Sequence, residues 1–198
     1  MLEPVVLAGR HVRLEPLAPE HVPALCEAGL DPELWRWTLS AVRTPEEMRA
    51  YVEAALRERD AGRALPFATV EAAGGRVVGS TRIAGLSAAD RRVEVGWSWV
   101  GRPWQRTPAN TEAKYLMLRH AFETLGMARV ELKTDALNQR SRAAILRLGA
   151  REEGTLRRHM RSQDGRMRDT VYFSILDDEW PEVRARLEEM LARPWSGR

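Results

Sequence analysis

The stretch "WQRTPANTEAK", residues 104–114, offers this sequence's first clear piece of chemistry. Thr107 is a good N-cap and Pro108 suits the first position of a helix, so the stretch reads as a helix start. The first turn of a helix carries unpaired N–H groups and partial positive charge, which together attract an anion such as a phosphate. Arg102 and Arg106 place full charges beside it. A capped helix with two solvated arginines would have the same sequence, so anion binding and plain capping both remain open here. The second stretch is "LNQRSRAAILRLGAREEG", residues 137–154. Asn138 is placed to cap a helix with Ser141 at its third position, and ordinary capping accounts for it well. In a functional reading both residues face the end of the opposite strand, where a ligand can pass between them.

Both stretches depend on the elements that hold them. "HVRLEPL" (11–17) alternates apolar and polar residues and predicts a strand. "APEHVPALCEAGL" gives a short helix with Val22, Leu25 and Cys26 on one face. Residues 44–62 predict a longer helix. Thr44 caps it, Pro45 starts it, Glu47 completes a capping box and Gly62 stops it. Its apolar face is Met48, Tyr51, Val52, Ala55 and Leu56. "PFATVEA" and "RVVGSTRIAGL" form a hairpin across "AGG". "RRVEVGWSWV" (91–100) puts Val93, Val95, Trp97 and Trp99 on one face, with Glu94, Gly96 and Ser98 on the other. Helix 108–125 follows, with Leu116, Met117, Ala121 and Leu125 inward and Gly126 at its end.

Beyond it, "ARVELKTDAL" is a strand. The helix after Asn138 turns Ala144, Ile145 and Leu148 inward and ends at Gly149. "GTLRRHMR" and "MRDTVYFSIL" pair around "SQDG". A closing helix lies in "DEWPEVRARLEEMLARP", where Trp180, Leu187 and Leu191 offer a face for a second copy, so a homodimer is one expectation. No repeat or low-complexity linker interrupts the chain, which predicts a single domain over residues 1–198. The order of elements predicts one mixed sheet with helices packed on it. The β-α-β segment from 91 to 135 should cross over right-handedly.

Composition narrows the classes. The 198 residues suffice for one full hydrophobic core, and 44% apolar residues argue against disorder. The formal charge is only +3, although the pI is near 9.5. Lys114 and Lys133 are the only lysines among 31 basic residues. Such an arginine bias suits anionic ligands, and equally suits a chain-wide codon or stability preference. No basic stripe interleaved with aromatics points to nucleic acid. Cys26 is alone, which leaves no internal disulfide and no cysteine-based zinc site. The histidines at 11, 21, 120 and 159 include no i, i+4 pair, so no metal is expected. The first residues hold an apolar run too short for a signal peptide, and no later apolar run is long enough to span a bilayer. A soluble cytoplasmic protein without a membrane role is the expectation.

Taken together and in this order, the motifs resemble those of the GCN5-related N-acetyltransferase (GNAT) family, and within it the RimJ/RimL group that acetylates ribosomal-protein N-termini. The resemblance runs from "HVRLEPL" to "DEWP". "VEVGWSWV" resembles the family's strand before the cofactor loop, "QRTPANTEA" its loop-to-helix segment, and Asn138, Ser141, "LGA" and "EEG" its later signature. The implied fold is a mixed, mostly antiparallel, twisted sheet of about seven strands with helices on both faces. The implied activity is direct transfer of acetyl from acetyl-CoA to a primary amine through a tetrahedral intermediate. A protein or peptide N-terminus, such as that of a ribosomal protein, is the implied acceptor. A small-amine (aminoglycoside or polyamine) acetyltransferase and a non-catalytic acyl-CoA-binding module are the alternatives.

The resemblance also implies roles. Pantetheine would bond the backbone near Trp99 and Val100, and the splayed end of that strand would offer an N–H to the acetyl oxygen. Where the family has glycines in its pyrophosphate loop, this chain has Pro108 and Asn110. Proline removes an N–H donor. Compensation is expected from the side chains of Arg106, Thr107 and Asn110 and the N–H groups of Ala109 to Thr111, beside Arg102. Asn138 would hold pantetheine and Ser141 would serve the departing thiolate. Glu94 is a candidate base, as are Glu153 and His159. Trp35 and Trp37 would wall the acceptor pocket, or else pack in the core. Arg82, with Arg157, Arg158 and Arg161, would meet an acidic acceptor or a ribosomal partner, or else be solvated charge.

Overall fold

In the computed structural model, which describes residues 2–195, eight strands form one open sheet in the order β1-β2-β3-β4-β5-β6-β8-β7. Met1 and residues 196–198 of the expected 1–198 domain lie outside the described residues. The strands are β1 (Leu7–Ala8), β2 (Val12–Pro16), β3 (Ala64–Glu71), β4 (Val77–Ser87), β5 (Arg92–Val100), β6 (Arg129–Asp135), β7 (Arg151–Arg161) and β8 (Met167–Leu176). The helices are α1 (Val22–Gly29), α2 (Pro45–Asp60), α3 (Pro108–Arg119), α4 (Gln139–Leu148) and α5 (Trp180–Ala192). All neighbouring strands are antiparallel except β5 and β6, which are joined through α3.

The expected elements form close to their expected bounds because their signals are local. Thr44 caps α2 by accepting from the Glu47 N–H, as the capping box predicts. The strand beyond the expected seven is β1, whose two residues are too few to show alternation. It pairs with β2 through Leu7 and Leu14. The turn between them is clamped by Glu112 of α3. That buried carboxylate accepts the N–H groups of Arg10, His11 and Val12 at 2.9, 2.6 and 2.7 Å.

The two faces of the sheet are covered unequally. On one face Leu14, Phe67, Ile83, Val95, Val130, Leu132, Phe173 and Ile175 meet α3, α4 and α5 in a continuous core. On the other, α1 and α2 cover Leu17, Ala68, Val70 and Trp99. No described residue of β6, β7 or β8 joins that second core. Half of this face is therefore open. The closing helix spends its apolar residues inside the chain. Trp180, Val183 and Leu187 are buried in the first core, each contributing roughly 1.5–3 kcal/mol there. The expected dimer face on α5 thus loses two of its three anchors, Trp180 and Leu187.

Strict alternation along residues 91–100 also fails. Arg82 pairs with Gly96 and Ser80 with Trp99, so Trp97 and Ser98 together stand opposite Thr81. This is a β-bulge, and Trp97 takes a left-handed φ of 50°. The extra residue reverses the phase of the strand. Val93 and Val95 face the first core, Trp99 the second, and Trp97 comes out at 39% exposure. Trp97 and Trp99 therefore do not share a face with Val93 and Val95.

Candidate active site

The site begins where β5 and β6 part. They pair only over Arg92–Glu94 against Arg129–Glu131. Beyond that, β5 continues on β4 and β6 continues on β8, which leaves a gap beside the bulge. The bulge against β4 follows just beyond the last residue of β5 paired to β6, Glu94. The bulge is pinned from the α3 side. Thr81 Oγ1 lies 2.6 Å from Ser98 Oγ and donates to the Gly96 carbonyl at 3.3 Å. Lys114 Nζ, reaching in from α3, donates to Ser98 Oγ. Burial pushes the Lys114 ammonium down to about 7, against the pull of the Glu94 carboxylate. Gly79 lets β4 approach this closely, since a Cβ there would stand 2.1 Å from the Trp99 carbonyl oxygen.

At the mouth of the gap, the chain turns from β5 into α3 through a short 3₁₀ turn, Arg102–Trp104. Thr107 caps α3: its hydroxyl accepts from the Ala109 N–H at 3.2 Å and donates to the Trp104 carbonyl at 2.7 Å. Pro108 stands first in the helix, as its fixed φ favours. Arg106, exposed, adopts φ 62°, a left-handed conformation that costs a non-glycine residue about 1 kcal/mol. The expected set of donors is reduced. Pro108 has no N–H and Ala109 gives its own to the cap, so the expected backbone donors narrow to Asn110 and Thr111. The Ala109 and Thr111 side chains are buried. Arg102 is held by Asp31, whose carboxyl the Arg102 guanidinium and the Glu33 N–H keep below the usual carboxylate range. It is therefore committed away from an anion at the helix start.

Two arginines that the sequence reading passed over take its place. Arg140 of α4 donates to Gln105 Oε1, and Arg147 donates to Thr111 Oγ1 at 3.1 Å. They lie two helical turns apart on one side of α4. That spacing was the signal, hidden among many arginines. Among the described residues, neither these two nor Arg106 pairs with a carboxylate. Asn138 caps α4, its Oδ1 accepting the Ser141 N–H at 3.0 Å. The half-buried Ser141 hydroxyl makes no hydrogen bond within the described chain.

The candidate bases differ sharply. Glu94 pairs with Lys133 at 2.7 Å, both side chains being largely shielded. Glu153 is grasped by both ends of Arg129, at 2.6 Å to Nη1, and by Ser174. The Arg129 bonds hold its carboxyl down to about 2, which removes it as a base near neutrality. His159 is exposed on the edge strand β7, its ring 5.8 Å from that of Tyr172.

On the open face, Trp35 proves to be a core residue, 3% exposed, with its indole N–H on the Gly29 carbonyl and its ring against Tyr51 and Trp99. It does not wall a pocket. Trp37 does reach this face, with Arg166 of the β7–β8 turn 5.9 Å from its ring. Arg43 touches Gln163 of the same turn. A cleft of about 390 Å³ opens beside the bulge between α2, β4 and the loop before α2. Its wall is Trp97, the tryptophan that simple alternation assigns to the core. Arg82, also lining it, is buried, while Arg157, Arg158 and Arg161 lie exposed on β7. Among the described residues, no group of three or more His, Cys, Asp or Glu side chains is placed to hold a metal ion, and no helix is long and apolar enough to cross a membrane.

Known proteins share this arrangement. The model of the acetyltransferase (GNAT) domain family matches residues 11–151. A candidate ribosomal N-acetyltransferase of Bacillus subtilis (strain 168), YdaF, is 31% identical over 106 residues. That match covers 54% of this chain and 57% of the relative's own length. A candidate acetyltransferase from T. thermophilus superposes with a TM-score of 0.88 at 41% identity, covering 96% of this chain and 99% of that one. Mycobacterium smegmatis RimJ, solved in complex with CoA-disulfide, superposes with a TM-score of 0.80 at 26% identity, covering 96% and 93%.

Proposed function

The chain belongs to the GNAT acetyltransferase family, and from that premise we propose that it moves acetyl from acetyl-CoA to the α-amine of a protein N-terminus. The observation that carries the reading is the parting of β5 from β6 at the Trp97 bulge, with a basic helix start at one end and an open cleft at the other. The relative named a ribosomal N-acetyltransferase supports this acceptor class. A polycationic small amine fits less well, because buried Arg82 lines the cleft.

The residues present fit a CoA-type donor. Arg106, Arg140 and Arg147 bring three unneutralised guanidinium groups to the start of α3, beside the backbone N–H groups of Asn110 and Thr111. Arg102, bonded to Asp31, and Ala109, bonded to Thr107, stay in the proposal as shape rather than as donors. Bound acetyl-CoA would supply an activated acetyl thioester. The backbone of β5 at Trp99 and Val100, free on the side where β6 has left, offers N–H and C=O groups to a pantetheine arm. An N–H at the bulge can meet the charge developing on the acetyl oxygen without reorganising, because Thr81, Ser98 and Lys114 hold it. Asn138 fixes the first turn of α4 and so the position of the Ser141 hydroxyl, which can donate to a departing thiolate. Proton removal from the amine falls to Glu94, through water, or to His159. Glu94 can act only in exchange with Lys133.

Calorimetry with acetyl-CoA tests this directly. Affinity in the micromolar range is expected, with a steep salt dependence. Replacing Arg106, Arg140 and Arg147 together by alanine should weaken it about a hundredfold. No binding by the wild type would sink the reading. Tight binding that ignores all three arginines would place the phosphates elsewhere.

A further inference from the structure

Arg82 is a buried charge with an unpartnered nitrogen. It sits on β4 and is 6% exposed. Its Nε has no hydrogen-bond partner, and no carboxylate among the described residues lies within ion-pair distance. What surrounds it is aromatic: its Cζ lies 4.6 Å from the Tyr51 ring centre and 5.6 Å from that of Trp97. The Tyr51 hydroxyl is also buried without a partner. Cation–π contacts offset only part of the cost of removing a guanidinium from water. Both residues line a cleft of about 390 Å³, with their orphaned donors held inside its wall.

The nearby acids do not serve. Glu47 lines the cleft, but its carboxylate accepts the Arg43 N–H at 2.6 Å in the cap of α2. Glu58 is held by both ends of Arg63. On the far side of Trp97, Glu94 is neutralised by Lys133. Arg82 thus lines the cleft with no carboxylate in ion-pair contact among the described residues, although its charge reaches Glu58 from a distance.

Its position fixes what that charge can read. Arg82 is the cross-strand partner of Gly96, the residue before the bulge, so it stands one strand spacing, roughly 5 Å, from β5, whose far side borders the gap. We infer that this cleft selects the acceptor and takes a carboxylate carried about one residue away from the reacting amine. The guanidinium would bind it through its terminal nitrogens, since Nε and the Tyr51 hydroxyl are shielded within the wall. The inference rests on the amine-transfer reading and narrows its substrate class to acidic acceptors, either an N-terminal peptide with an acidic second residue or a free acidic amino acid.

The test compares isosteric acceptors on the wild type and on Arg82→Met. Thiol release from acetyl-CoA is followed with C-terminally amidated Ser-Glu-Ala-Ala and Ser-Gln-Ala-Ala, and with free glutamate and glutamine. The acidic member of at least one pair should show a kcat/KM at least about tenfold higher, carried mainly by KM, and the preference should vanish in Arg82→Met. Preference within the peptide pair alone assigns the site to a protein terminus; preference within the free pair alone assigns it to a small molecule. Arg82→Met should fold as well as the wild type, because it removes a buried unpaired charge, and a thermal melt checks this. Calorimetry of the same four acceptors on the CoA-loaded protein reads the cleft independently of turnover. Acid-selective binding lost in Arg82→Met, with no transfer to any amine, would uphold the cleft and sink the amine-transfer reading. Equal binding and turnover of Glu and Gln acceptors by the wild type, or a preference that survives Arg82→Met, would overturn the inference.

Discussion

At the scale of single residues, the caps of this fold and its chemistry differ in how far they can be read ahead. Asn138 and Thr107 were legible as caps because capping is decided within three or four residues of chain. Trp35 and Trp97 were not, because which tryptophan is buried depends on strands distant in sequence. Glu94 looked like a free acid until Lys133 of the neighbouring strand met it. Lys114 and Lys133, the two lysines of the chain, both stand at the parting of the strands, and their rarity was a signal left unused. Ser141 is the residue whose role is most sharply testable. Ser141→Ala should lower kcat by about 10- to 100-fold with little change in acetyl-CoA affinity, since its hydroxyl supports nothing within the fold. Steady-state kinetics beside calorimetry would show this, and unchanged turnover would reduce Ser141 to a helix residue.

At the scale of elements, helices and strands were legible from periodicity, while the bulge and the clamp were not. A bulge is one residue too many for its partner strand, and a single sequence does not state its partner. The clamp shows the same limit. Glu112 in "TEA" reads as an ordinary early-helix glutamate, yet it collects three backbone N–H groups from the β1–β2 turn. A Cβ on Gly9 would come within 2.5 Å of that carboxylate. Glu112→Ala strands those donors and should cost about 3 kcal/mol, a fall in Tm of roughly 6–12 °C for a chain of this size. Thermal unfolding checks this, and a loss below about 1 kcal/mol would show that the clamp is ornamental.

The link between β5 and α3 makes a second prediction, in pH. Lys114 titrates at about 7 in the fold, driven down by burial, against an ordinary value near 10.4 when unfolded. Between those values the unfolded chain holds a proton that the folded chain lacks, so stability should rise with pH across that window. Below about pH 7 both states are protonated and the penalty is at its full size, a few kcal/mol. Lys114→Met should be more stable than the wild type at pH 6, with the advantage shrinking toward pH 10. Melts at the two pH values test this, and an advantage that stays constant would show that Lys114 is not titrating in the fold.

At the scale of the whole molecule, the fold works through an imbalance between its faces. Three helices seal one side of the sheet, and two helices cover only half of the other. The proposed donor loop opens at the parting of β5 and β6, and the cleft proposed for the acceptor lies on the half-covered face beside the same parting. The order of elements predicted one sheet with helices on it, because alternation of strands and helices leaves few other solutions. It did not predict the open half. That depends on which strands α1 and α2 happen to cover, a matter of packing rather than of pattern. The missing loop glycines sharpened the same point: α4 supplies charge from across the gap where the loop itself supplies few N–H groups.

The gap is proposed to join an acetyl donor to an amine, and the most direct measurement of that is thiol release from acetyl-CoA with and without an amine-bearing peptide. Release should depend on the peptide, each thiol should be matched by one acetylated N-terminus, and blocking the peptide's α-amine should abolish both. Acetyl-CoA bound tightly but never consumed, whatever amine is supplied, would contradict it.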